Sequence, residues 1–211
     1  MTEQTARSAW PGALAAGTAL MVGAWLLHDG DVLGLPPAPS AAEAFEAGAG
    51  SWPVVPPLPS SPPTRIRIPV LGLDAPVTRL GLDGEGRLQP PPDNDRNLAG
   101  WYRGGAAPGA RGAAIVAGHV DTAAGPAVFY RLGALRRGDQ LEVAREDRAT
   151  AYFQVDAVEV YPKKDFPDGK VYGATKDAQL RLITCGGGFS RATGYDGNVV
   201  VFAHLVRTAR A

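Results

Sequence analysis

Beyond residue 64 no stretch of ten or more residues carries apolar side chains at helical period, which turns the larger part of this 211-residue chain away from helical folds. Short strands recur instead. Thr64-Arg65-Ile66-Arg67-Ile68 alternates polar and apolar, and Thr150 to Tyr161, rich in Tyr, Phe and Val, does so less regularly. Ala113–Ala117, Gln179–Thr184 and Asn198–Ala203 are short apolar runs bounded by Gly or Asp, the pattern of buried strands. Pro126 to Leu132 has room for one or two helical turns, with proline at a permitted early position. The chain's 27 glycines and 19 prolines supply the turns, and no glycine repeats at every third position as collagen requires. This spacing predicts a mainly β domain, a closed barrel or a sandwich.

The amino-terminal part is of another kind. Ser8 to Leu27 is free of charge, and as a helix it would span about 30 Å, the thickness of a bilayer's hydrocarbon core. A cleaved signal peptide is the alternative, but Trp25-Leu26-Leu27 runs into His28-Asp29 without a small-residue cleavage site. Arg7 precedes the apolar run, and Asp29, Asp31, Glu43 and Glu46 follow it, so residues 1–7 are expected in the cytoplasm and all that follows Leu27 outside. Residues 28–63 then read as a Pro/Ala-rich extracellular linker, with 9 of the 19 prolines lying between Pro36 and Pro63. Fully extended, its proline-rich part would reach roughly 85 Å. Charge excludes a dominant nucleic-acid role: Lys plus Arg and Asp plus Glu number 21 each.

Cys185 is the only cysteine, so an internal disulfide framework and a cysteine-based zinc cluster are both ruled out. It closes an apolar strand and is followed by Gly186-Gly187-Gly188, a loop of little bulk that would let a substrate backbone approach. His119 closes another apolar strand, before Val120-Asp121 and a Gly-Pro turn. A thiol is a poor nucleophile until a neighbouring group takes its proton, and imidazole does this near neutrality. A lone cysteine in a strand is also often just a small buried hydrophobe, and the residues alone leave that open. Asp121 would orient His119 or merely head its turn; Thr184 would line the groove or merely fill its strand. His204 and His28 read as structural, and Asp93-Asn94-Asp95 as an acidic loop rather than a metal site.

Leu182-Ile183-Thr184-Cys185 with its glycine loop, and Gly118-His119-Val120-Asp121 upstream, resemble the sortase family of cysteine transpeptidases, most closely the actinobacterial class F. Trp101-Tyr102, Pro108-Gly109, Gly125 to Leu132 and Gly138-Asp139 follow that class in order and spacing, so the likeness runs from about Arg65 to Arg207. The resemblance implies an eight-stranded β-barrel over residues 64–211, with one or two short helices, and neither cofactor nor metal. It also implies a hydrolase-class cysteine transpeptidase that attacks the threonine carbonyl of an LPxTG-like sorting signal. A thioacyl-enzyme forms, and a cell-wall amine, from a peptidoglycan precursor or another acceptor, resolves it. Cys185 matches the nucleophile and His119 the general acid and base. The family's oxyanion arginine begins the strand after the cysteine loop, where this chain has Asn198. If residues 186 to 197 form an open loop, Arg191 is the arginine it delivers to the thiol; the alternative donors are Asn198 and backbone N–H groups. A non-catalytic surface barrel and a wall-peptide cysteine hydrolase are the competing readings.

Overall fold

Ile66 and Ile68 are fully buried while Arg65 and Arg67 reach outward to Asp74, so the alternation over residues 64–68 is that of a strand, β1 (Pro63–Ile68). The computed structural model describes residues 34–45 and 54–210. The expected membrane helix at 8–27 lies outside them, and no helix among the described residues is long and apolar enough to cross a membrane. The chain divides into units Met1–Leu35 and Pro36–Ala211, and the architecture below belongs to the second.

After β1 come β2 (Leu73–Leu80), β3 (Ala99–Tyr102), β4 (Gly112–Gly118) and the small hairpin β5 (Asp121–Thr122) and β6 (Gly125–Pro126). β7 (Gln140–Arg145), β8 (Ala149–Pro162), β9 (Ala178–Ser190) and β10 (Gly194–Arg210) complete the set. Eight strands close into a barrel in the order β1-β2-β3-β4-β9-β10-β8-β7, as the resemblance implied. Closure through β1 and β7 leaves no unpaired sheet edge. β2 with β3 and β4 with β9 run parallel, and the other barrel pairs are antiparallel. Ile66, Val116, Phe153, Leu180, Leu182 and Val201 fill the barrel. A second cluster, with Ile115, Ile183, Val200 and Phe202, lies on the opposite face of the same strands.

Two local expectations change. Residues 126–132 form no α-helix: Gly125–Pro126 is strand, and Tyr130, Leu132 and Ala134 each donate to the carbonyl three residues back, ending in a 3-10 turn over Leu132–Ala134. The described α-helix is the single turn α1 (Asp168–Val171).

The proline-rich segment, read as a free spacer, is bound to the barrel wherever it is described. Glu43 accepts from the Arg137 backbone N–H at 2.7 Å, Phe45 N–H donates to Glu159 at 3.1 Å, and the Phe45 ring meets that of Phe202 edge-on at 5.0 Å. The Pro37 carbonyl occupies the place a Cβ on Gly133 would fill. Further along, Leu58 N–H donates to the Gly109 carbonyl at 2.8 Å, and the buried Arg145 guanidinium ties the carbonyls of Pro59 (2.5 Å) and Pro108 (2.6 Å) to Asp147 (2.9 Å). Few large apolar residues are needed, because proline's restricted backbone has little entropy to lose and its carbonyls find donors on the barrel.

Candidate active site

Side chains alternate along β9: Leu180, Leu182 and Thr184 face the barrel interior, while Ile183 and Cys185 take the opposite face. Parallel pairing sets Val116 beside Leu182 and Ala117 beside Ile183. One step on, the buried Thr184 hydroxyl donates to the Gly118 carbonyl at 2.9 Å. β4 ends at Gly118 and the chain leaves it at His119, while β9 runs on from Thr184 to Cys185, so both residues follow the Thr184–Gly118 contact at the same end of the paired strands. Across β9, Asn198 on β10 is the direct register partner of Cys185. Cys185 and Asn198 are thus register partners, His119 follows the strand on the other side of β9, and all three residues are half-buried with Cys185 unpaired. Thr184 belongs to the opposite side of that wall. Expected to line a groove, it is instead buried, with its hydroxyl bridging β9 to the end of β4.

His119 Nε2 lies 2.7 Å from the Pro91 carbonyl. A carbonyl only accepts, so Nε2 carries the proton and Nδ1 is left as the base. Asp121, expected to orient this ring, instead accepts the Tyr195 hydroxyl at 2.6 Å. Burial, then the hydrogen bond to Asp121, pushes the Tyr195 phenol above its usual range, with smaller contributions from the charges of Asp121, Tyr130 and Cys185. Tyr195 thus joins the ribbon that begins at the nucleophile to the hairpin that follows the base.

That ribbon replaces the expected open loop of 186–197. β9 continues to Ser190, β10 begins at Gly194, and only Arg191-Ala192-Thr193 lie at the tip. Arg191 is exposed there, six residues from Cys185, up to about 20 Å of extended chain, so the structure does not bring the two together. The glycines also serve the ribbon itself. A Cβ on Gly187 (φ +83°) or Gly188 would meet the Asp196 carboxylate at 2.6 or 2.7 Å, where the ladder bulges. Lys163 donates from Nζ to the Tyr195 carbonyl at 2.7 Å and holds the ribbon's other side. Tyr195, Lys163 and Pro91 carried no signal in the sequence, since their roles arise from contacts between distant segments.

Taken together, these observations describe a closed β-barrel with a free, half-buried cysteine paired with Asn198 and with His119 at the end of the adjoining strand. The Sortase domain profile matches residues 66–206. The chain therefore belongs to the sortase family, whose members are cysteine transpeptidases. Among solved structures, sortase A of Listeria monocytogenes is similar at TM-score 0.53 and 20% identity, over 70% of this chain and 88% of that one. The SrtA sortase from Actinomyces oris is similar at TM-score 0.53 and 19% identity, over 77% and 89%. Sortase C1 from Streptococcus agalactiae gives 0.52 and 21%, over 68% and 67%. At these identities the likeness is one of fold. Among curated proteins none matches.

Proposed function

We propose that this chain is a membrane-anchored transpeptidase that cleaves an LPxTG-like sorting signal through a thioacyl-enzyme on Cys185 and passes the acyl group to a cell-wall amine. The observation that supports the reading is the register pairing of Cys185 with Asn198 on a strand whose other neighbour, β4, leads directly into His119. His119 Nδ1 takes the thiol proton, and the sulfur attacks the threonine carbonyl. The oxyanion that forms accepts from the Asn198 amide and from backbone N–H groups, in place of the arginine other sortases use. Collapse expels the downstream amine, which leaves with the proton from His119. An entering amine then returns a proton to His119 as it attacks the thioester, and the thiolate departs.

Residues 8–27 are assigned as the anchor, residues 1–7 as cytoplasmic and the barrel as external; the uncharged run and the position of Arg7 support this. Within the family, the order of motifs from Trp101-Tyr102 to Cys185 favours class F. Incubating the full chain with an LPxTG peptide and following its mass tests the reaction. A thioacyl adduct is expected on the wild type, absent in Cys185→Ala and released by an added amine. No adduct on an alkylatable thiol would favour a surface module without catalysis.

A further inference from the structure

A cleft of about 510 Å³ opens between the start of β2 and the segment after β6, and Asp74, Arg96, Asn97, Tyr130 and Arg131 contribute to its lining. Its wall adjoins the base: Phe129 N–H donates to the His119 carbonyl and Ala127 N–H to that of Val120, each at 3.0 Å. Tyr130 on that wall and Cys185 both lie within electrostatic reach of the Tyr195 hydroxyl. The charge in the cleft is one-sided. Asp74 is the only acid lining it, and Arg65 (2.6 Å) and Arg67 (3.3 Å) already hold its carboxylate, the Arg65 hydrogen bond above all keeping it below the usual range. Asn97 has its amide on the Asp74 carbonyl at 3.0 Å. Arg96 donates to the Ala124 carbonyl at 2.9 Å, and neither Arg96 nor Arg131 forms an ion pair with a carboxylate among the described residues, Asp93 and Asp95 of the adjoining loop included. Two guanidinium groups thus already neutralise the one carboxylate, and two more, Arg96 and Arg131, line the cleft.

Chemistry gives the cleft a direction. One imidazole protonates the departing amine and deprotonates the entering one, so both amines pass on the His119 side of the sulfur. The cleft's wall is hydrogen-bonded to the His119 backbone. We propose that it is a carboxylate subsite, in which Arg96 and Arg131 receive a carboxylate borne by the entering amine or by the departing peptide segment. The inference rests on the transpeptidase reading above.

The test preforms the thioacyl-enzyme on the full chain and resolves it with triglycine or triglycinamide, which differ only in the carboxylate. In parallel, acylation is compared between donor peptides whose departing segment ends in a free acid or an amide. If the entering amine is the source, triglycine is expected to react about fivefold faster at limiting concentration, as two exposed charge contacts allow. The ratio should fall to about one in Arg96→Gln/Arg131→Gln; using a ratio cancels any general loss of activity. The same preference in the donor arm alone assigns the carboxylate to the departing segment and keeps the subsite. Ratios of one in both wild-type arms, or a preference that survives the double substitution, overturn it. Should no thioacyl-enzyme form, the transpeptidase reading fails, and the arginine Nε resonances of the Cys185→Ala chain decide the subsite. Shifts of Arg96 and Arg131 with triglycine but not triglycinamide retain it, and equal or absent shifts dismiss it.

Discussion

Asn198 occupies the position where the family resemblance places a charged donor, and the mechanism proposed above gives the oxyanion its neutral amide instead. Removing a single oxyanion donor costs about a hundredfold or more in rate. Asn198→Ala is therefore expected to lower acylation by about that factor in single-turnover mass spectrometry. Arg191→Ala, at the exposed ribbon tip, should stay within about twofold of wild type. A large loss at Arg191 together with none at Asn198 would show that the ribbon folds over the thiol in the reacting enzyme. At this scale, Cys185 and His119 were legible because each closes an apolar run, a property of local order. The contacts of Thr184, Asp121 and Arg191 were not legible, for another reason. Their roles depend on which face of β9 a side chain takes, which acceptor a neighbouring strand offers, and whether residues 186–197 form a loop or a ribbon.

Among the elements, the β9–β10 ribbon carries Cys185 and Asn198, and the Tyr195–Asp121 hydrogen bond ties it to the β5–β6 hairpin. Tyr195→Phe removes the link and keeps the ring that packs on Phe189 at 5.0 Å. Acylation should fall about tenfold through kcat with KM little changed, since misplacement by a fraction of an ångström acts on the reacting geometry. A second readout separates this from general loosening. The phenol's folded pKa lies above its unfolded value of 10.0, so its contribution to stability is complete below pH 10 and is lost as pH rises beyond it. Titration of the 6 tyrosines by ultraviolet absorbance should show late steps from Tyr172, raised by burial, and from Tyr195, and Tyr195→Phe should remove the later of them. Loss of an early step instead would mean that the bond to Asp121 is not made. Strand β2 shows why some elements escape a reading of pattern. Pro76 interrupts its apparent alternation, and the strand survives because its other residues pair with β1 and β3.

The whole molecule is held by barrel closure and by a proline-rich segment that crosses its outer wall. Phe45 lies against Phe202, with the Lys170 ammonium 4.7 Å from its ring centre. Phe45→Ala is expected to cost about 1–2 kcal/mol and to lower Tm by about 3–6 °C; an unchanged Tm in calorimetry would mean that the segment is not docked in solution. The Arg145 node supplies a pH signature. Hydrogen bonding from Arg145 holds the Asp147 carboxyl below its ordinary value of 3.8, so its contribution is complete above that pH and fades as pH falls through the lower folded value. The gap in urea midpoint between wild type and Asp147→Asn should accordingly be larger at pH 6 than at pH 3. The linear order of residues was enough to establish a mainly β domain and the strand runs that lead to Cys185 and His119, because periodicity and chain punctuation are local. The docking of the proline segment, the turn of Asp121 toward Tyr195 and the distance of Arg191 from the thiol emerged only on folding. Each depends on which strands become neighbours when the barrel closes, and no spacing along the chain encodes that.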